Sequence, residues 1–117
     1  MQTVLIQRNG ETLARVWNAN RYFLRLRGLL GRTIPSGGGL LLTPCNDIHT
    51  FGMRYPIDAV YLDAAGRVLR VDDSLRAGKA WPAQRGAKRV LELPAGAAQE
   101  RNIRMNDILE VIPWTKS

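Results

Sequence analysis

The chain has one cysteine, Cys45, and one histidine, His49. A lone cysteine closes no intrachain disulfide, and it supplies no multi-cysteine zinc site. The default expectation is a cytoplasmic protein with a reduced thiol. Long apolar runs are missing too. The longest is Gly37 to Leu42, far short of the roughly 18 residues that a membrane span needs. Residues 1–11, MQTVLIQRNGE, contain no basic stretch followed by a long apolar one, so no signal peptide is expected. Acidic residues are also scarce: 10 Asp and Glu stand against 17 Lys and Arg, for a formal net charge of +7.

That charge raises the question of an anionic partner. Arg21, Arg25, Arg27 and Arg32 cluster in one segment, and Arg85, Lys88, Arg89, Arg101 and Arg104 follow later. No helix-turn-helix, RNP-like aromatic strand or zinc-finger spacing accompanies them. The expectation is a solvated basic face, and nucleic acid is not the expected partner. With 117 residues, the chain is long enough for one modest core, so residues 1–117 are read as a single domain.

Local signals follow in order. Residues 3–8 and 11–17 flank Asn9-Gly10, the pair that best accepts the two positive φ angles of a type I′ turn. This predicts a hairpin with Arg8 opposite Glu11 and Ile6 opposite Leu13. A helix follows, capped by Asn18 or Asn20. Its apolar stripe is Tyr22, Leu26 and Leu29, and Gly31 is placed to end it. Leu40–Leu42 reads as a short buried strand stopped by Pro44. Ile57–Leu62 and Arg67–Asp72 read as a hairpin around the Asp63–Gly66 loop. Residues 73–88 are polar and basic, and read as a long loop carrying Trp81. Val90–Leu93 is a strand, residues 95–102 hold one or two helical turns, and Ile108–Ile112 is the last strand. The fold class is therefore α+β, mainly antiparallel β, with a small barrel-like sheet and one substantial helix.

Five segments in this order resemble the DUF192 family, also called UPF0127: RGLLGR (27–32), GGGLLL…HTFGM (38–53), PIDAVYLDAAGRVLRV (56–71), VLELPAG (90–96) and MNDIL (105–109). The resemblance implies a small, mainly β domain with a barrel-like sheet and one helix. It implies no agreed biochemical function. Many relatives carry signal peptides, and some occur beside pilus or secretion components. The sequence departs from the commoner pattern at its centre. Phe51-Gly52-Met53-Arg54 stands where that pattern has Phe-Trp-Met-Lys-Asn-Thr, so no role of the missing residues carries over. Cys45 and His49 mark a sub-branch with a PC…HTFGM signature.

The stretch from Pro44 to Asp63 gathers the most potential chemistry. Cys45 and His49 are candidates for a nucleophile and its base. On an extended chain they lie about 13 Å apart, so only a turn at Asn46-Asp47 can join them. The competing reading packs Cys45 as a small apolar residue and uses His49 to hold the loop. A metal site would need Asp47 or Asp58 as a third ligand, without a recognised spacing, so no metal and no cofactor is expected. Asp58 shares a strand face with Val60 and Leu62. It either lines a polar pocket with Thr50 and Arg54 or caps loop N–H groups.

The favoured function is a binding domain, leaning away from catalysis. A small ligand or protein partner would occupy a cleft between residues 44–55 and 73–88. Cys45, His49, Thr50, Arg54 and Asp58 supply its polar contacts, while Phe51, Met53 and Trp81 supply its walls. The alternatives are a hydrolase or transferase using Cys45 with His49, and a basic accessory module of a pilus or secretion assembly or an anionic surface. The expected state is a monomer or weak oligomer.

Overall fold

Asn9 and Gly10 turn the chain with φ of 53° and 81°, as an Asn-Gly type I′ turn requires. They join β1 (Gln2–Arg8) to β2 (Glu11–Ala19) in an antiparallel pair. The computed structural model describes residues 2–19, 38–45, 48–49, 56–76 and 80–114. Arg8 does face Glu11, but Ile6 faces Ala14 rather than Leu13, because the register shifts between Ile6 and Gln7. Leu13 is the extra residue of a β-bulge. The bulge lets neighbouring Leu13 and Ala14 both join the core on one face, which strict alternation would forbid.

Further strands are β3 (Leu40–Leu42), β4 (Ile48–His49), β5 (Ile57–Leu62), β6 (Val68–Leu75), β7 (Ala80–Trp81), β8 (Arg89–Pro94) and β9 (Glu110–Pro113). One short helix, α1 (Ala97–Glu100), lies between β8 and β9. Seven strands form one sheet in the order β6-β5-β8-β3-β2-β1-β9, and β4 pairs with β7 in a separate ladder. Every pairing is antiparallel except β2 with β3.

The sheet is not closed into the expected barrel. Its edge strands, β6 and β9, do not pair along their lengths. Among the described residues they meet at a short seam, where Arg67 bridges Ile108. The Val68 N–H donates to the Asp107 carbonyl at 2.8 Å, and the Asn106 and Leu109 N–H groups donate to the Val68 and Gly66 carbonyls, each at 2.8 Å. The helix expected between Asn18 or Asn20 and Gly31 falls almost wholly outside the described residues, and Asn18 itself belongs to β2. The described helix is the four-residue α1, within the stretch expected to hold one or two turns. No described helix is long and apolar enough to cross a membrane.

The centre of the sheet is buried on both faces: β3 and β5 are wholly buried, and β3 is continuously apolar. On the first face, Val4, Ile6, Leu41, Val60, Leu91 and Leu93 pack with Ala97 and Ala98 of α1. On the second, Leu40, Leu42, Cys45, Ala59, Tyr61 and Val90 form a separate cluster. The strand Ile57–Leu62 therefore has no solvent face; both of its sides are core.

Candidate functional site: a two-loop cleft and a buried carboxyl group

Cys45 follows β3 directly, after a cis Thr43–Pro44 peptide bond. Its N–H donates to the Lys88 carbonyl at 2.9 Å, and the residue is buried in the second-face cluster. That hydrogen bond ties the start of the 44–55 segment to the end of the 73–88 segment. A second tie comes from β4 and β7, where Ile48 lies opposite Trp81 and His49 opposite Ala80. The two segments expected to flank a cleft are thus neighbours. Thr50, Phe51, Met53 and Arg54 lie outside the described residues, as do Asn46 and Asp47.

Asp58 is fully buried in β5 on the first face, beside α1. Its Oδ1 accepts the Ser74 N–H and its Oδ2 accepts the Ala98 N–H, both at 2.9 Å. The first bond holds Ser74, a non-glycine residue with φ of 53° at a bulge in β6. The second satisfies a donor in the first turn of α1, where Gly96 provides no side-chain cap. Cys45 packs on the second face, so the sheet lies between it and the Asp58 carboxyl group. The geometry gives Asp58 a capping task.

On the second face, the Tyr61 hydroxyl donates to Asp72 Oδ2 at 3.0 Å. Arg70 stacks on the Tyr61 ring at 3.9 Å from its centre and pairs with Asp72 at 3.0 Å. Burial first, then the Asp72 carboxylate, holds the Tyr61 proton well above its usual range. The same guanidinium donates to the Pro82 carbonyl at 2.8 Å and to Gln84 Oε1 at 3.3 Å. Arg70 therefore fixes the chain immediately after β7.

Glu92, in the middle of β8, is 0% exposed. Neither carboxyl oxygen has a hydrogen-bond partner among the described residues. Burial pushes its pKa from 4.5 up to about 8. Among the described residues, only Asp58 and Glu92 are buried charged types, and their treatment is opposite. One has both oxygens bonded to backbone amides; the other has neither.

Residues 4–111 match the family model of DUF192, described as an uncharacterized ACR. The chain belongs to the DUF192 family. Two solved structures share the fold of this DUF192 chain. One is a protein of unknown function from Novosphingobium aromaticivorans, with a TM-score of 0.74 and 19% identity over 92% of this chain and 83% of that one. The other is a "putative transcription regulator" from Sinorhizobium meliloti, with a TM-score of 0.76 and 21% identity over 94% of this chain and 92% of that one. At these identities the likeness is one of fold. No curated protein matches the chain.

Sequence reasoning did not single out Glu92 or the Tyr61–Arg70–Asp72 cluster of this DUF192 protein. A signal for Glu92 exists in VLELP, where a charge interrupts an apolar strand. Strand alternation alone puts such a residue on a solvent face. Only the flanking of β8 by β3 and β5, with both faces covered, turns it into a buried acid.

Proposed function

We propose that this DUF192 chain is a small binding domain whose cleft lies between the 44–55 and 73–88 segments. The observation that supports it is the β4–β7 ladder, which pairs the backbone of His49 with Ala80 and of Ile48 with Trp81. Two segments otherwise separated in sequence share one short sheet, and Arg70 steadies one side of it through Pro82. A two-residue ladder has little stability of its own, so a ligand bound against both segments beside the ladder adds to their order. The polar contacts in this reading are His49, Thr50 and Arg54, with Phe51, Met53 and Trp81 as walls, while Cys45 is buried in the second-face cluster at the base of the segment. Asp58 serves it from behind by fixing the Ser74 bulge.

Using Cys45 as a nucleophile is the weaker reading, because the residue is 6% exposed and packed among aliphatic side chains. Reactive thiols sit in accessible, electropositive surroundings. A screen of small fragments and short peptides against 15N-labelled protein tests the cleft. Saturable shifts should gather on the amides of Cys45, Ile48, His49, Ala80 and Trp81. Shifts confined to the open groove of ≈ 640 Å³ beside β6, lined by Arg70, Asp73, Ile103 and Met105 among others, would move the binding site there and defeat this reading.

A further inference from the structure

β6 is an edge strand of the seven-stranded sheet, and its ladder with β5 has a bulge toward each end. Its backbone directions follow from its partners. The Leu62 carbonyl accepts the Lys88 N–H at 2.8 Å, so Leu62 turns toward β8. By alternation Tyr61 and Ala59 turn toward β6, where they meet Arg70 and Asp72. The backbone groups of Val71 and Asp73 therefore point away from β5, as those of Val68 do at the seam. The bulge between Val68 and Arg70 accounts for the odd spacing. Val68 finds its outer partners in Asn106 and Asp107, whereas Val71 and Asp73 have none on that side among the described residues.

Beside that free run lies the open groove of ≈ 640 Å³, within the range of about 300–1,000 Å³ usual for ligand sites. Val71 and Ile103 give it an apolar floor, and Met105, 62% exposed, gives it an apolar rim. Its two ends carry opposite charges. Exposed Asp73 marks one end and exposed Arg104 the other. Arg104 is held in a turn by the Asp107 N–H, which donates to its carbonyl at 3.1 Å, and Asp107 in turn meets Val68. Neither the Asp73 nor the Arg104 side chain has an ion-pair partner among the described residues.

We propose that this edge takes an added strand from a partner protein. The strand is an extended peptide, antiparallel to β6, with a base, an aliphatic residue and an acid at alternate positions from its N- to its C-terminus. Strand addition satisfies the backbone groups that a sheet edge leaves open, and alternate side chains set its specificity. The antiparallel sense continues that of the Arg67–Ile108 bridge. The base then stands opposite Asp73, the aliphatic residue opposite Val71 and above Ile103, and the acid beside Arg104. Bulges confine the pairing to a few residues, so the edge accepts one short strand and not an open-ended stack. The groove shares no lining residue with β4 or β7, so this proposal does not rest on the cleft.

The probe is the peptide acetyl-Thr-Lys-Thr-Val-Thr-Glu-Thr-amide, titrated into 15N-labelled protein. Saturable shifts are expected at the Val71, Asp73 and Met105 amides, with slower hydrogen exchange at Val71. A methyl group on the peptide's valine nitrogen removes a ladder hydrogen bond and should weaken binding about fivefold or more. Exchanging the peptide's lysine and glutamate keeps its composition and should also cost about fivefold. The double variant Asp73→Lys, Arg104→Glu, altered only at exposed positions, should reverse that preference. Equal affinity for the N-methylated peptide, or shifts that miss Val71 and Asp73, overturns strand addition. Equal affinity for the exchanged peptide overturns the charge pattern, and with it the stated occupant. Protection of Val71 that rises with protein concentration in the absence of peptide would give the edge to a second copy of the chain, which overturns the proposal as well.

Discussion

At the scale of single residues, the two buried acids make opposite predictions. The folded chain holds the Glu92 proton up to about pH 8, whereas the unfolded chain releases it near 4.5. Between those values the folded state carries more protons, so stability is greatest below the lower one and falls as pH rises. The slope contributed by this group reaches about 1.4 kcal/mol per pH unit at most. Glu92→Gln removes it, so denaturant melts at pH 5, 6, 7 and 8 should show the variant gaining on the native chain. A gap that stays constant with pH would sink this account. Asp58→Asn should behave differently. An amide nitrogen cannot accept the backbone N–H that one Asp58 oxygen now accepts, which leaves a buried donor unsatisfied. The expected loss is about 1–3 kcal/mol, with lower hydrogen-exchange protection of whichever amide, Ser74 or Ala98, loses its acceptor. An unchanged melting temperature would contradict it.

At the scale of elements, turns and apolar runs were legible in the sequence because their determinants are local. Asn9-Gly10 made its hairpin, and Leu40–Leu42 and Ile57–Leu62 are strands of the expected lengths. Asp63–Gly66 also turns as its chemistry suggests, with Asp63 Oδ1 accepting the Ala65 and Arg67 N–H groups at 2.9 Å. Three features were not legible. The Leu13 bulge depends on which partner residue the strand skips. β6 runs past the expected end at Asp72 to Leu75, because an edge strand tolerates Asp73 and Ser74, which look like loop residues. The β4–β7 ladder has two residues per strand, too few for any periodicity. Gly66 separates local from distant requirements. Its φ is 88°, and a Cβ there would collide with the Leu109 carbonyl oxygen; Gly10 has a similar φ of 81° and open space around it. Alanine at Gly10 should cost about 1–2 kcal/mol for the left-handed backbone alone. Gly66→Ala should cost clearly more, because the collision also pushes on the seam. Equal losses in the two variants, measured by urea unfolding, would show that the close approach is relieved without strain.

At the scale of the whole molecule, the question is what keeps an open sheet wrapped around its first-face core. Part of the answer is Arg8, at the end of β1. Its guanidinium donates to Asp107 Oδ2 at 2.9 Å, to the Asn102 carbonyl at 2.7 Å and to the Arg101 carbonyl at 3.0 Å. Two of these acceptors are carbonyls at the C-terminal end of α1, where a cation also meets the negative end of the helix. Asp107 accepts the Arg104 N–H at 2.9 Å as well, and its own carbonyl receives the Val68 N–H across the seam. One side chain thus connects β1, the end of α1 and the loop that reaches β6, and some of the chain's positive charge is structural rather than available to an anionic partner. The Arg8–Asp107 pair is about a fifth to a quarter exposed, so screening reduces its worth, and Arg8→Ala should cost about 2 kcal/mol in total. A lysine at this position cannot spread donors to three acceptors, and should recover less than half of that loss. Hydrogen exchange distinguishes the seam from general weakening. In Arg8→Ala the Val68, Asn106 and Leu109 amides, which make the seam hydrogen bonds, should lose more protection than the amide of Leu91 in the sheet centre. Uniform loss at all four would mean that Arg8 stabilises the fold without holding its edges together.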